Sequence, residues 1–542
     1  MGVPAAGARV PRGRRAHRLP STRPAPRGSA GPAPSTSGSR RGPGPAGALQ
    51  QPGAGLAGVS VVYKFGGSSV RDAERMREVA SIVCAFPEHA PCVVLSAMGK
   101  TTNLLLGAGQ QALEVADSSE VAALAPLREL VAHHRATMDA LGTDAATRAE
   151  VEKLLAELTQ VLCSVAILRD LSPRVSDTLV SFGERMSTRI FAAFLQAEGV
   201  HAVQHDAMDI GLTTTDEFTN GDVVYEATLP GVAAALAQPP GEPLRLPVVT
   251  GFLGKGERTG AITTLGRGGS DLTATVIGAA LGTAEVQVWK DVDGVLNADP
   301  RLVPEAHPVP YLTYDEATEL AFFGATVLHP QSMRPAINSE ALNVRVKNSY
   351  NREAPGTLIS RDRNMADSLL TSIVLKKNVT MLDINSTRML GNHGFMAKLF
   401  DVFAKNRISV DVIATSEVSV SVTLDTDQIW SRSLVDAELE ALRHAVRKVA
   451  RVELKKEKAI ISLIGNVEYS SIILEKVFRT LGGMGVNVEM ISQGASKNNI
   501  ALVLPNAEGP RCVQALHNEF FGAANCNSLL SYDERPADPL AH

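Results

Sequence analysis

The chain has 542 residues, of which 44% are hydrophobic and 4% aromatic, and its formal net charge at pH 7 is −4. This hydrophobic content suffices for packed cores and excludes a wholly disordered chain, whereas so few aromatic residues speak against a stacking surface for single-stranded nucleic acid. No uninterrupted apolar run approaches the ~20 residues that a membrane-spanning helix needs. The five cysteines are scattered and form no CxxC pair, so neither a disulfide framework nor a zinc ribbon is indicated.

The first 60 residues differ in composition from the rest of the chain. They contain nine arginines and no aspartate or glutamate, and they are rich in proline, glycine, alanine and serine. Such a segment, without an apolar stretch, is typical of an organelle transit peptide. We expect residues 1–58 to be a disordered transit peptide for the chloroplast (plastid stroma), with a merely disordered basic tail as the alternative. The other 44 basic residues face 57 acidic ones, so no nucleic-acid surface is expected.

From residue 61 onward, apolar strand-like runs alternate with helix-like segments. The runs predicted as strands are residues 61–65, 92–95, 247–252 and 284–289. The segments predicted as helices are residues 70–84, 103–166 and 272–281. Strands that alternate with helices indicate a mostly parallel α/β sheet with helices on its faces. We expect this α/β block to occupy residues 59–360.

Behind the α/β block, two parts of the chain repeat each other at an offset of 78 residues. Each copy has an amphipathic helix followed by two strand-like runs. The first copy comprises residues 395–405, 408–413 and 418–424, and the second comprises residues 472–481, 486–491 and 499–504. The same three elements in the same order favour tandem small α+β domains, although a chance likeness of two amphipathic units is the alternative.

Two glycine-rich loops stand where a strand-like run gives way to a helix-like segment, at residues 64–69 and 265–271. Glycines there let backbone N–H groups approach an anion, and a helix N-terminus adds its dipole. Lys64 can offset the charge of a transferring phosphoryl group, and Arg267 can bind a carboxylate through two hydrogen bonds. On the residues alone, an ordinary turn for the first loop and a helix-capping role for Asp271 remain open.

Five stretches, in this order, make the α/β block similar to the aspartate kinases of the amino-acid kinase family. They are KFGGSSV at 64–70, LSAMGKTTN at 95–103, SFGERMSTR at 181–189, TTLGRGGSD at 263–271 and VDGVLNADPR at 292–301. FFGATVLHPQSMRPA at 322–336 and the repeated segments extend the resemblance to about residues 61–530. The chain most resembles the monofunctional, lysine-sensitive plastid type.

The resemblance implies a fold, a domain organisation and an activity. The fold would be an amino-acid kinase fold, a mostly parallel sheet sandwiched by helices, at 59–360, followed by two α+β ferredoxin-like ACT domains at 371–450 and 455–535. The activity would be ATP-dependent phosphorylation of the L-aspartate β-carboxylate to 4-phospho-L-aspartate, which begins lysine, threonine and methionine biosynthesis. Mg²⁺ would arrive with ATP, and no protein-bound metal is expected.

The resemblance also implies a role for each matching residue. Lys64 and Asp271 would be catalytic, with Asp271 positioning Lys64 or other active-site groups. Ser96, Thr102, Glu184 and Arg267 would bind the substrate. Glu184, which alone would pass for a surface or capping acid, would bind the α-ammonium group and Arg267 a carboxylate. ATP would be bound by Lys64, Gly66, Gly67, Ser68, Gly268, Gly269, Lys290, Asp291 and Arg301. Leu296 and Thr326 depart from bacterial relatives, which leaves the adenine contacts undefined.

By the same resemblance, L-lysine would inhibit the enzyme by binding the ACT domains. Its site would be lined by Met389, Gly394, Phe395, Asp411, Thr415, Ser416, Glu417 and Val418. Asn392 departs from the serine that is common in bacterial members. S-adenosylmethionine, to which some plastid-type relatives respond, is a further candidate partner. Because ACT domains usually pair across subunits, a homodimer or a dimer of dimers is expected.

Two other functions compete with this one. A sibling kinase would act on another acid, such as N-acetylglutamate or glutamate, but an acetylated amine offers no ammonium group to Glu184. A catalytically inactive amino-acid sensor would have lost Lys64, Glu184, Arg267 or Asp271, and all four are present.

Overall fold

The structure is a computed structural model that describes residues 58–86, 89–238, 244–325, 328–339, 341–363, 369–385, 393–406, 408–425, 436–447, 450–494 and 496–522. Residues 1–57 of the expected transit peptide, together with Thr326, Met389 and Asn392, lie outside these ranges.

The α/β block contains eleven strands and nine α-helices among its described residues. The strands are β1 (Val61–Phe65), β2 (Pro91–Leu95), β3 (Ala202–His205), β4 (Thr213–Thr214), β5 (Leu246–Thr250), β6 (Leu253–Gly256), β7 (Ile262–Thr264), β8 (Glu285–Lys290), β9 (Tyr311–Thr313), β10 (Asn343–Asn348) and β11 (Thr357–Ser360). The helices are α1 (Ala73–Ala85), α2 (Thr101–Ala112), α3 (Ala125–Leu141), α4 (Ala145–Leu168), α5 (Pro173–Ala197), α6 (Tyr225–Ala235), α7 (Gly269–Leu281), α8 (Tyr314–Phe322) and α9 (Pro330–Asn338).

An eight-stranded sheet forms the centre of this block, in the order β3-β5-β2-β1-β8-β10-β11-β9. Every neighbouring pair is parallel except β10 and β11, which are antiparallel. All five residues of β1 are buried. A strand covered on both faces needs an almost continuous apolar run, which is why the sequence at 61–65 does not alternate. The predicted α/β class is confirmed.

Helix boundaries differ from the prediction where capping residues intervene. The helix expected over 70–84 begins only at Ala73, because Asp72 takes the N-cap position and accepts a hydrogen bond from the backbone N–H of Arg75. The helical stretch expected over 103–166 is divided among α2, α3 and α4 by a short 3₁₀ turn and a loop. That loop contains Gly142, whose φ of 65° ends α3, and Asp144, whose carboxylate caps α4.

The C-terminal part forms one continuous sheet of six strands, in the order β13-β14-β12-β15-β17-β16. Its strands are β12 (Leu370–Asn385), β13 (Ile413–Thr415), β14 (Ser419–Asp425), β15 (Arg451–Gly465), β16 (Met490–Ser492) and β17 (Asn499–Pro505). Its helices are α10 (Phe395–Lys405), α11 (Asp436–Arg447), α12 (Ser470–Gly483) and α13 (Gly509–Phe521). The two predicted repeat helices are therefore present as α10 and α12.

The long strands β12 and β15 each contribute to both repeat units. The second half of β12 pairs with β14 and packs in a core with α10 and α11. The first half of β12 pairs with the end of β15 and packs in a core with α12 and α13. The first unit is thus inserted between two strands of the second unit, which a purely tandem arrangement does not describe.

The strand that follows the helix in each repeat is shorter than predicted. The runs expected at 408–413 and 486–491 enter the sheet only at Ile413 and Met490. In the first repeat, the hydroxyl of Thr423 accepts a hydrogen bond from the Val412 N–H at 3.0 Å. The backbone also pairs there, because the Asp411 N–H donates to the Thr423 carbonyl and the Thr423 N–H donates to the Val412 carbonyl, both at 2.9 Å. Two residues thus oppose one, as in a β-bulge, and the regular ladder starts at Ile413.

The two parts of the chain are joined by hydrogen bonds and an ion pair around Glu316 of α8. Its carboxylate binds the Arg363 guanidinium at 2.5 Å and accepts a hydrogen bond from the Thr371 hydroxyl at 2.7 Å. The backbone N–H of Ile373 donates to the Asn297 carbonyl at 2.8 Å. The six-stranded sheet is therefore attached directly to the α/β block. Within the described ranges, no helix is long and apolar enough to cross a membrane.

Candidate active site

A cleft of about 390 Å³ lies at the carboxyl ends of β1, β2 and β5. Because these strands are parallel, the loops that leave them meet at the same edge of the sheet. Eight of the predicted site residues line the cleft: Lys64, Gly67, Ser96, Thr102, Glu184, Gly268, Gly269 and Asp271. Motifs that are far apart in the sequence therefore converge on one site.

Lys64 and Asp271 form a buried ion pair in this cleft. The Lys64 Nζ lies 2.5 Å from Asp271 Oδ1, and the two side chains are 10% and 9% exposed. Burial alone would raise the pKa of Asp271, but the positive charges of Lys64 and Lys290 outweigh it and hold that pKa below its usual value. Asp271 therefore stays ionised and fixes the ammonium group of Lys64 at the cleft.

Two helix N-termini meet at the cleft, those of α2 and α7. Thr102 and Asn103, in the first turn of α2, and Gly269 and Ser270, in the first turn of α7, all line it. The first four N–H groups of a helix have no acceptor within that helix, and the helix dipole favours negative charge there. The loop at 66–69 is not followed directly by a helix, so α2 supplies the dipole expected from α1.

Glu184 reaches the cleft because α5 packs closely against the loop after β2. A Cβ on Gly183 would lie 2.7 Å from the Cβ of Ala97, so only glycine permits this approach. Glu184 Oε1 accepts a hydrogen bond from the Ala97 N–H at 3.1 Å. Burial raises the pKa of Glu184 to about 8, and this hydrogen bond only partly opposes the shift.

The second carboxylate oxygen of Glu184 is the feature of this cleft that is best suited to binding a cation. Oε2 is buried and has no hydrogen-bond partner among the described residues. A buried carboxylate oxygen without a partner is costly, so such an oxygen in a cleft is suited to a ligand that brings a positive charge. The ammonium group of an amino acid brings a positive charge and three N–H donors, and one of these can donate to this oxygen.

Serine hydroxyls hold the neighbouring loops together. Ser96 donates a hydrogen bond to Ser270 across the cleft at 3.0 Å, and Ser187 of α5 donates to the Ser96 carbonyl at 2.9 Å. These contacts join the loop after β2 to both α7 and α5. Ser96 therefore lies where it can contact a substrate held by Glu184.

The remaining residues predicted for ATP and aspartate lie at or beyond the rim of the cleft. Lys290, at the end of β8, is close enough to Asp271 and Lys64 for their charges to act on it, although burial is the main cause that lowers its pKa. The Arg301 guanidinium is 87% exposed and pairs with Asp299 at 2.7 Å. Four further predicted residues are near the surface and outside the described lining: Gly66, Ser68, Arg267 and Asp291.

Sequence reasoning missed three residues at this site, namely His329, Asn103 and Phe252. His329 packs against the second glycine loop, and burial lowers its pKa while the charge of Asp271 acts in the opposite direction. Asn103 and Phe252 line the cleft. Asn103 and His329 lie within the stretches that carried the family resemblance, whereas Phe252 does not. The sequence therefore indicated that these two residues are near the site, but it did not indicate which residues they contact.

Substitution of Gly268 by alanine should damage the site. Gly268 has a φ of 73°, and a Cβ added there would lie 2.5 Å from the Cβ of His329. The left-handed conformation alone costs an L-residue about 1–2 kcal/mol. We expect Gly268→Ala to lower kcat/KM for both substrates at least tenfold while the protein still melts cooperatively. Gly142→Ala, also left-handed but with no neighbour within 4 Å, controls for backbone strain and should keep normal kinetics.

The residues predicted to bind lysine are only partly brought together. Thr415, Ser416, Glu417 and Val418 are exposed at the turn between β13 and β14. Gly394 caps α10, and Phe395 is buried in the core beneath it. Asp411 instead forms an ion pair with Lys376 at 2.9 Å, with both side chains less than 10% exposed.

Comparisons with known proteins agree with this architecture. Residues 60–348 match the model of the amino acid kinase family, and residues 383–430 and 461–520 match an ACT domain. The chain is 57% identical to Aspartokinase 1, chloroplastic, of Arabidopsis thaliana over 87% of its own length and 82% of that protein. It is 37% identical to the lysine-sensitive aspartokinase 3 of Escherichia coli over 85% of its length and 99% of that protein.

Solved structures give the same result. Escherichia coli aspartokinase III in complex with aspartate and ADP superimposes with a TM-score of 0.70 at 35% identity, over 85% of this chain and 99% of that one. The same enzyme in complex with lysine and aspartate gives a TM-score of 0.68 at 34% identity, with the same coverage. The chain therefore belongs to the amino acid kinase family and, within it, to the aspartokinases.

Proposed function

We propose that the protein transfers the γ-phosphoryl group of Mg-ATP to the β-carboxylate of L-aspartate, forming 4-phospho-L-aspartate and ADP. A carboxylate oxygen forms the new P–O bond, while the bond from the γ-phosphorus to the bridging oxygen of ADP breaks. This reaction begins the pathway from aspartate to lysine, threonine and methionine. Mg²⁺ enters with ATP as part of the substrate.

The chemistry requires positive charge rather than a general base. An aspartate side chain has a pKa near 3.9, so the nucleophile is already ionised at neutral pH. The barrier then comes from bringing a carboxylate to a triphosphate, and positioning and electrostatic stabilisation lower it. Lys64, held by Asp271, and the N-termini of α2 and α7 supply this positive potential.

The observation that supports aspartate as the acceptor is the partnerless oxygen of Glu184. In our proposal Oε2 binds the α-ammonium group of the substrate, while Arg267, exposed between two glycines at the rim, binds its α-carboxylate. An assay of ADP release tests this. We expect turnover with L-aspartate and at least 100-fold lower kcat/KM with N-acetyl-L-aspartate, whose nitrogen is neutral. Equal use of both compounds would contradict the assignment.

We propose that L-lysine inhibits the enzyme through the first ACT unit, at the predicted residues Met389, Gly394, Phe395, Asp411 and the turn at 415–418. The turn is exposed, and therefore open to a ligand or to a second subunit. A homodimer or dimer of dimers, paired through the ACT units, would complete the site. S-adenosylmethionine as a second effector is part of the same proposal.

Glu417→Ala should relieve lysine inhibition. The glutamate is exposed and far from the cleft residues in sequence, so we expect kcat and KM without lysine to stay within twofold of wild type. Loss of one charge-assisted hydrogen bond should raise the half-inhibitory lysine concentration about tenfold. Glu468→Ala removes an exposed carboxylate of the second unit and should leave inhibition unchanged. Unaltered lysine sensitivity of Glu417→Ala would remove this residue from the site.

Location and domain limits complete the proposal. Relatives named as chloroplastic and the acid-free, Arg-rich start of the chain support import into the plastid stroma after removal of a transit peptide near residue 58. We also propose the limits 59–360, 371–450 and 455–535 for the three domains. The first half of β12 nevertheless packs with the last of them.

A further inference from the structure

A second cavity, of about 550 Å³, lies between the α/β block and the six-stranded sheet. Helix α8 and the start of α9 form one wall, and the edge strands β13 and β16 together with β17 form the other. It shares no lining residue with the active-site cleft. Of the described residues predicted to bind lysine, only Asp411 lines it.

The charged groups in the described lining of this cavity are both carboxylates, and the other polar lining residues are neutral hydroxyls and amides. Asp411 and Glu319 contribute carboxylates, and the described lining contains no lysine, arginine or histidine. Lys376 pairs with Asp411 from outside the lining, whereas Glu319 forms no ion pair among the described residues, so the charge balance is negative at Glu319. A cavity with this balance attracts a cation.

Asn499 gives an independent indication of a ligand. Its side chain is 7% exposed, and its Nδ2 donates to Glu319 Oε2 at 3.0 Å. Its Oδ1 is buried and has no hydrogen-bond partner among the described residues. A buried acceptor without a partner is suited to a ligand that donates a hydrogen bond, and a primary ammonium group has three N–H donors.

The lining also has an apolar, aromatic part, formed by Phe322, Phe323, Pro330, Val412, Ile413 and Ala501. Phe322 and Phe323 pack edge to face with their ring centroids 5.1 Å apart. The Lys376 Nζ lies 5.1 Å from the Phe322 ring centroid, so this ring already has a cation beside it. Aromatic rings stabilise both an apolar body and a neighbouring positive charge.

We infer that this cavity is a binding site for a small organic ammonium ion with an apolar body and no carboxylate. The ammonium group binds Glu319 and Asn499 Oδ1, while the apolar body packs against Phe322 and Val412. A carboxylate on the ligand is disfavoured because the described lining offers it no cation. The site goes beyond the proposed aspartate kinase activity, and it does not depend on lysine regulation.

Isothermal titration calorimetry with three matched compounds tests this inference. The probe is 2-phenylethylammonium, 2-phenylethanol lacks its charge, and L-phenylalanine adds a carboxylate. We expect saturable binding of the probe to the wild-type protein. The other two compounds should bind with an affinity that is lower by about tenfold or more, in line with the loss of a charge-assisted hydrogen bond. No binding of the probe, or equal binding of 2-phenylethanol, would overturn the proposal.

Two variants locate the binding within the protein. Glu319→Gln keeps the shape of the side chain and removes its charge, and Asn499→Ala removes the open acceptor. Each substitution should lower the affinity for the probe at least fivefold. Glu353→Gln, at a carboxylate that is 83% exposed, should bind the probe as tightly as the wild-type protein does. Both variants must first show cooperative melting and normal aspartate turnover, since neither residue lines the active-site cleft. Unchanged probe affinity in both would contradict the site.

Discussion

Replacement of Lys64 by methionine should lower kcat by about 10²–10³-fold, the loss typical when one preorganised charge-stabilising group is removed. Methionine fills a similar volume but brings no charge to the phosphoryl group. The substitution also leaves Asp271 buried without its partner, and breaking a buried ion pair in this way costs roughly 3–5 kcal/mol of stability. We therefore expect Lys64→Met to lose stability as well as turnover.

A double variant separates the two effects of Lys64→Met. In Lys64→Met/Asp271→Asn the buried charge is gone, so much of the lost stability should return while kcat stays low. Lys153→Met, at an exposed lysine of α4, should match wild type in both assays. Steady-state kinetics at saturating aspartate and chemical denaturation provide the two readouts. Normal turnover in a folded single variant would remove Lys64 from the chemistry.

Replacement of Glu184 by glutamine should raise KM for aspartate and leave KM for Mg-ATP nearly unchanged. Removal of one partner of a buried, hydrogen-bonded charge pair costs about 2–5 kcal/mol, so kcat/KM for aspartate should fall about 10²–10³-fold. The amide oxygen of glutamine can still accept the hydrogen bond from the Ala97 N–H. Glu198→Gln, at the exposed end of the same helix, is the matched control. Unchanged kcat/KM for aspartate would refute the role of Glu184.

The pH dependence of the same two proteins provides a second test of Glu184. Because its pKa is raised to about 8, the empty site is largely protonated at neutral pH, and only the ionised form pairs with an ammonium group. We expect kcat/KM for aspartate to rise with pH, up to about tenfold per unit, and to level off near pH 8. Glu184→Gln should lose this dependence. A flat wild-type profile would contradict the assignment.

The same shift predicts how stability changes with pH. The unfolded chain releases the Glu184 proton near pH 4.5, whereas the folded protein retains it until about pH 8. The folded state therefore binds more protons across this window, and this group makes the protein less stable as pH rises through it. Chemical denaturation of Glu184→Gln between pH 6 and pH 8 should show a weaker decline.

Local patterns were sufficient to predict the elements that build the site. The apolar run at 61–65 and the glycines after it predicted a buried strand and a turn. The glycine-rich segment at 266–269 predicted the start of α7. What these patterns lack is pairing between distant residues. The family resemblance suggested that Asp271 positions Lys64, but their direct ion pair depends on the order of the strands. The partnerless oxygen of Glu184 follows from burial, which no spacing in the sequence reveals.

Cross-strand geometry explains the remaining differences. The partner of Asp411 is Lys376, on a strand that the repeat comparison did not include, so the sequence could not indicate that this carboxylate is already paired. The two halves of β12 belong to different cores because β12 and β15 are long enough to cross both units. The cavity at Glu319 depends on how the sheet packs on α8, which is a tertiary contact between distant elements.

Trapping of the acyl phosphate tests the proposed function most directly. The purified protein is incubated with Mg-ATP, L-aspartate and hydroxylamine, with and without L-lysine, and aspartyl hydroxamate is measured. We predict hydroxamate that requires both substrates and disappears as lysine is added. Hydroxamate that lysine leaves unchanged would contradict the regulatory part alone, and no hydroxamate from folded, ATP-binding protein would contradict the aspartate kinase activity.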